Sequence, residues 1–240
     1  MFEGLDGSGQ TTQAHLLTRW FLEKQKQLAY YTKEPTEGPV GSLLKLALNK
    51  RLVCHSEAHG YGPMNETTMA LLFAADRADH LNNEINPKLQ DGVHVISDRY
   101  YLSSLAYQSV GADYEWIKLI NRNFLRPDLT FFLDVPPEVC FKRMQAQRWH
   151  MELYEDLVNL KRVRANFEQA ISDLKQMGEQ IVILDGNQPV QDVHRMIVQE
   201  TKKLMATMQE PRLSTSEVQV DVQMEAQPFT EREIAAHQEG

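Results

Sequence analysis

Short runs of β-forming apolar residues recur at 28–32, 93–97, 129–135 and 180–184, and the segments between them place apolar residues at helical intervals. With a stub at Met1-Phe2 the chain has five such strands. Strands alternating with helices predict βαβ units, and so an α/β fold: a three-layer sandwich whose five-stranded parallel sheet is flanked by helices. The helices are expected over 11–27, 41–50, 65–90, 102–108, 114–123, 137–148, 153–178 and 190–208. Pro136-Pro137 marks one start, because proline in the first helical turn gives up no hydrogen bond. In sheets of this kind the chemistry gathers beyond the carboxyl ends of the strands. Polar residues fall there: Lys33-Glu34-Pro35, Asp98-Arg99-Tyr100, Asp134 and Asp185-Gly186-Asn187.

A chain of 240 residues suits one such domain with at most an appendage. Residues 1–208 carry the periodic pattern. Residues 209–240 hold Glu210, Glu217, Asp221, Glu225, Glu231, Glu233 and Glu239 against Arg212 and Arg232, which reads as an acidic tail outside the fold. Within it Val218, Val220, Val222 and Met224 alternate with polar residues, the pattern of a half-buried strand. At the other end only Met1 and Phe2 precede Glu3, so the first strand is expected to fall about four residues short of the usual length, with a segment missing. The formal charge of −8 argues against nucleic-acid binding. No apolar run approaches the ~20 residues of a membrane span and no signal peptide opens the chain, so a cytoplasmic protein is expected. Cys54 and Cys140 lie far apart without metal-ligand spacing, which suggests neither a disulfide framework nor a zinc site.

The run Gly4-Leu5-Asp6-Gly7-Ser8-Gly9-Gln10-Thr11-Thr12 lies between the first strand and the first helix. Its glycines let the backbone curl so that N–H groups point at phosphate oxygens, and Thr11 can ligate Mg2+. Such loops normally carry lysine at the position of Gln10, which offers an amide but no charge. Asp98 and Arg99 follow the strand at 93–97, where the carboxylate can hold Mg2+ and the guanidinium can bridge phosphates. Phe73 and Arg77 stand four apart on one helical face, a spacing that suits a planar base and its carbonyl. Taken alone, the same pair reads as a core ring and a surface charge.

These segments, with Thr32-Lys33-Glu34-Pro35, the run at 97–108, Arg126-Pro127-Asp128 and Tyr154-Glu155, together resemble the thymidylate kinases, P-loop nucleoside monophosphate kinases. The resemblance covers essentially all of 1–208. It implies transfer of the ATP γ-phosphoryl group to dTMP with Mg2+, a P-loop NTPase-type sandwich, a homodimer and a lid at about 144–160. It implies that Phe73 stacks on thymine, that Arg77 approaches a ring carbonyl, and that Ser104 and Gln108 lie near the base. Tyr107 would crowd the sugar 2′ position, Asp6 would contact the acceptor sugar and metal region, and Glu34-Pro35 would shape the acceptor loop. Arg99 would lie between the two phosphates. Because the loop carries Ser8 where some relatives carry arginine, the lid is expected to supply that charge, from Arg148.

The chain departs from the family at Gln10 and at Lys33, which replaces an arginine. Lysine keeps the charge but loses the bidentate fork. Losing one preorganised donor at Gln10, uncompensated, would cost on the order of a hundredfold to a thousandfold in rate. A nucleotide-binding protein with weakened catalysis and a deoxynucleoside kinase are the alternatives.

Overall fold

The computed structural model describes residues 1–56, 60–147 and 156–209. In chain order its elements are β1 Phe2–Gly4, α1 Gln10–Trp20, β2 Ala29–Lys33, α2 Pro39–Leu48, β3 Cys54–Ser56, β4 Gly60–Gly62, α3 Glu66–His80, α4 Asn86–Gln90 and β5 His94–Asp98. There follow α5 Tyr101–Tyr107, α6 Tyr114–Asn121, β6 Thr130–Asp134, α7 Pro137–Gln147, α8 Leu157–Gln176, β7 Ile181–Asp185 and α9 Val190–Gln209. The main sheet has the order β2-β5-β1-β6-β7 and every pairing in it is parallel.

The five expected strands are the five strands of this sheet. β1 is short but central, with Phe2 opposite Asp98 on one side and Phe131 on the other. Alternate residues of the strands feed two cores. Phe131 and Leu133 pack with Ala14, Leu17, Val193 and Ile197 of α1 and α9. Phe132 packs on the opposite face with Leu102, Leu105, Val163 and Phe167 of α5 and α8. Both faces are therefore covered, as an all-parallel sheet requires.

Three features depart from the sequence reading. The antiparallel pair β3–β4 lies in a segment for which no strand was expected. The helix expected over 65–90 is divided, with a π-helical turn at Leu81–Ile85 between α3 and α4. The first helix likewise ends in a π-helical turn at Phe21–Gln25. Residues 1–207 form one compact unit. The tail beyond 209 and residues 148–155 of the lid expected at 144–160, Arg148 included, lie outside the described residues. Among the described residues no helix is long and apolar enough to cross a membrane.

Candidate active site

The chain leaves β1 at Gly4 and enters α1 at Gln10 through a turn that only glycine accommodates at two of its positions. A Cβ on Gly4 would lie 2.9 Å from the Leu133 carbonyl oxygen, and one on Gly7, at φ +81°, would lie 2.8 Å from that of Cys140. The resulting loop opens toward a cavity lined by Asp6 through Thr12 and by Arg143 of α7. Gly4 and Leu5 are buried below it and frame the turn. Backbone N–H groups at a helix start, converging on a concavity, make an anion site. Gln10 is buried there, and its Oε1 has no hydrogen-bond partner.

Beside the loop, β5 delivers Asp98 and Arg99. Thr11 Oγ1 donates to Asp98 Oδ2 at 2.5 Å, so the two residues expected to serve a metal are in contact. The Tyr31 hydroxyl donates to the same oxygen at 3.4 Å, and Asp98 Oδ1 is buried without a partner. Burial raises the Asp98 pKa above its ordinary value, opposed by Arg99 and the two hydroxyls. Arg99 sits at φ 72°. Its Nη1 donates to Gly4 O at 3.2 Å and Ser103 Oγ at 2.8 Å, and its Nη2 to Asp6 Oδ1 at 2.8 Å. Burial works against the guanidinium charge, but Tyr107, Asp6, Asp98 and Glu3 outweigh it and keep the pKa above normal. The Tyr107 hydroxyl donates to Asp6 Oδ2 at 2.8 Å and accepts the Asp6 N–H at 3.1 Å. Burial holds that phenol protonated.

A second cavity lies on the other side of Asp6. Glu34, Pro35, Phe73, Arg77, Arg99, Ser104, Tyr107 and Gln108 all line it, so every residue expected to bind the acceptor falls in one place. Arg77 is buried, not a surface charge: its Nε and Nη2 donate to Glu34 Oε2 at 2.9 and 2.6 Å, and Nη2 also to Ser104 Oγ at 3.0 Å. Gln108 Oε1 is buried and unpartnered. Asp6 lines both cavities, which therefore meet at the Asp6–Arg99 pair.

A family model, that of thymidylate kinase, matches residues 2–197. The chain belongs to the thymidylate kinase family. It is 39% identical over 203 residues to the probable thymidylate kinase of Thermococcus gammatolerans, covering 82% of this chain and 92% of the relative. It is 40% identical over 200 residues to that of Pyrococcus abyssi, with the same shares of each chain covered. The probable thymidylate kinase of Pyrobaculum calidifontis is 38% identical over 209 residues, covering 86% and 96%.

Within this thymidylate kinase fold, several supporting residues escaped the sequence reading. Asp76 on α3 accepts the Thr36 N–H at 2.9 Å and its hydroxyl at 2.6 Å, anchoring the acceptor loop after Pro35. Asn121 of α6 accepts from Arg77 Nη1. Glu3 is fully buried in β1, accepts from the Ser103 hydroxyl and from the Tyr100 N–H at 2.8 Å, and has its pKa raised by burial to about 7. Among the described residues Arg143 joins Arg99 at the loop at 4–12, its Nη1 donating to Gly7 O at 3.3 Å and Ser8 O at 3.5 Å. Lys33, where the family has arginine, pairs its ammonium with Glu37 at 2.9 Å. Position in the strand-end pattern could have signalled Glu3; nothing in the local sequence signalled Asn121.

Proposed function

We propose that this thymidylate kinase family member transfers the γ-phosphoryl group of ATP to dTMP, giving dTDP and ADP, with the loop at 4–12 as the donor site and the cavity around Phe73 and Arg77 as the acceptor site. The observation that carries the reading is the single cavity lined by all eight acceptor residues and joined to the phosphate loop at Asp6. Phe73 stacks on the thymine ring and Arg77 donates to a ring carbonyl. Gln108 Oε1, buried and unpartnered, suits the base N–H. Tyr107 stands against the sugar and Arg99 binds the acceptor phosphate.

The acceptor phosphate oxygen attacks the γ-phosphorus, a new P–O bond forms, and the β,γ-bridging oxygen leaves with ADP. A phosphate monoester with a second pKa near ~6 is largely dianionic at neutral pH, so the reaction asks for positioning and charge stabilisation more than for a general base. Arg99, held by Asp6, Ser103 and Gly4 O, is aimed before the substrate arrives. The orphaned Asp98 Oδ1 beside the Thr11 hydroxyl is an oxygen pair of the kind a hard cation takes, so Asp98 and Thr11 would hold Mg2+. Bound there, Mg2+ supplies positive charge to the phosphates. Arg148 of the lid and a homodimeric, cytoplasmic state belong to the same reading, as does a folded domain ending near 208.

Coupled turnover of pure protein with ATP and with dTMP, dUMP or thymidine tests it. Turnover preferring dTMP supports the proposal. Preference for thymidine supports a deoxynucleoside kinase instead, and ATP binding without transfer supports a weakened relic.

A further inference from the structure

Arg77 has five N–H groups. Two meet Glu34 Oε2, one meets Ser104 Oγ and one meets Asn121 Oδ1, which leaves a single Nη1–H for anything entering the cavity. The guanidinium also lies over the rings of Tyr100 and Phe124, 5.2 and 5.6 Å from their centroids. Of its partners Glu34 takes the largest share, two N–H groups. The other oxygen of that carboxylate, Oε1, meets His80 Nδ1 at 3.1 Å. His80 is fully buried at the end of α3, and its Nε2 lies 2.7 Å from Thr32 Oγ1 on β2. The Thr32 hydroxyl also lies 3.4 Å from Glu84 Oε2. A continuous chain therefore runs Thr32–His80–Glu34–Arg77 from the sheet into the acceptor cavity.

Without the imidazole, Glu34 Oε1 would be a buried anionic oxygen lacking a donor, and the carboxylate could turn to find one. Turning it moves the fork that holds Arg77. We propose that His80 is a positioning residue for the acceptor, acting through Glu34 to aim the one remaining Nη1–H of Arg77 at a neutral carbonyl oxygen of the bound base. The inference rests on the acceptor-site reading above, in which Arg77 meets the base.

The test is steady-state kinetics of four variants with both substrates. His80→Ala is expected to raise KM for dTMP by about tenfold, the size of a lost hydrogen bond to a charged group, with kcat and the KM for ATP within about threefold. His80→Asn, whose side-chain amide can replace the Nδ1–H, is expected to restore KM for dTMP to within about threefold of wild type, and Thr32→Val to fall between. An unchanged KM in His80→Ala, or His80→Asn as poor as alanine, overturns the inference. Arg77→Gln separates the two levels. If it raises KM while His80→Ala does not, only the role of His80 is wrong; if it too leaves KM unchanged, the acceptor-site reading fails. Should His80→Ala not fold, the dTMP-induced rise in melting temperature of His80→Asn and Thr32→Val decides: a wild-type rise in the first and a smaller one in the second supports the chain, and any other pattern overturns it.

Discussion

Thr11 Oγ1 and Asp98 Oδ2, 87 residues apart in sequence, are joined by a 2.5 Å hydrogen bond that ties the first turn of α1 to the end of β5. The bond aims the carboxylate so that its other oxygen faces away from protein donors. Asp98→Asn keeps the shape and removes the charge. It is expected to lower kcat about a hundredfold and to raise the Mg2+ concentration needed for half-maximal rate. Tyr31→Phe, which removes only the 3.4 Å hydroxyl contact, should shift the Mg2+ midpoint by less than about threefold. Rate measured against Mg2+ concentration checks both, and an unmoved midpoint in Asp98→Asn would count against the metal site.

Arg143 is a cation whose guanidinium reaches the part of the loop next to Gln10, at Gly7 and Ser8. If the phosphate charge is already met, Gln10→Lys should change kcat by less than about tenfold. Arg143→Ala should then lower kcat more in the wild-type background than beside Gln10→Lys, because the new lysine replaces part of the lost charge. Single-turnover rates of the four proteins at saturating ATP and dTMP give the coupling. A gain of two orders of magnitude from Gln10→Lys alone would mean that nothing in the chain compensates.

Tyr107 lines the cavity around Phe73 and is the partner of Asp6, and on the proposed reading it is also the wall against the sugar. The two roles separate by mutation. Tyr107→Phe should leave deoxyribose selectivity intact while lowering kcat several-fold, since Asp6 loses a donor and Arg99 its neighbour. Tyr107→Ala should in addition admit ribonucleotides. Selectivity is read as the ratio of kcat/KM for dTMP and its ribose counterpart, and an unchanged ratio in Tyr107→Ala would refute the sugar contact.

Glu3 makes stability depend on pH. Its folded-state pKa of about 7 lies above the ordinary carboxyl value of 4.5, so the native state binds the proton more tightly than the unfolded chain does. Above pH 7 both states are ionised and the buried charge destabilises the fold by about 3 kcal/mol; the penalty is relieved as pH falls from 7 toward 4.5. Glu3→Gln keeps an acceptor for the Tyr100 N–H and removes the charge. Denaturant unfolding should therefore show the variant gaining on wild type at pH 8 relative to pH 5, and a pH-independent difference would contradict the assignment.

The strands of the main sheet were legible because each is a short β-forming run set between helical periods, and the tight turn at 4–9 because its glycines sit between such a run and a helix. The hairpin Cys54–Ser56 and Gly60–Gly62 carries no such run, and its pairing has no signature in the local pattern. Phe73 and Arg77 were found by spacing, but not the burial of Arg77, which exists because Glu34 arrives from a loop 43 residues away. Asp76, His80 and Asn121 were unreadable for the same reason. A polar residue on a helix reads as solvent-facing until the tertiary structure supplies a partner, and each of these three is buried.

The ion pair of Arg77 with Glu34 sets the electrostatics of the cavity around Phe73. Beside Phe73 its two charges cancel, and where the cavity meets the loop at 4–12 Arg99 is likewise paired, with Asp6 at 2.8 Å. An uncharged ring enters the first region with only a carbonyl and an N–H to satisfy. On the proposed reading, a nucleotide whose ring carries a charge finds no free counterion there and is disfavoured by the cost of its desolvation, whatever its shape.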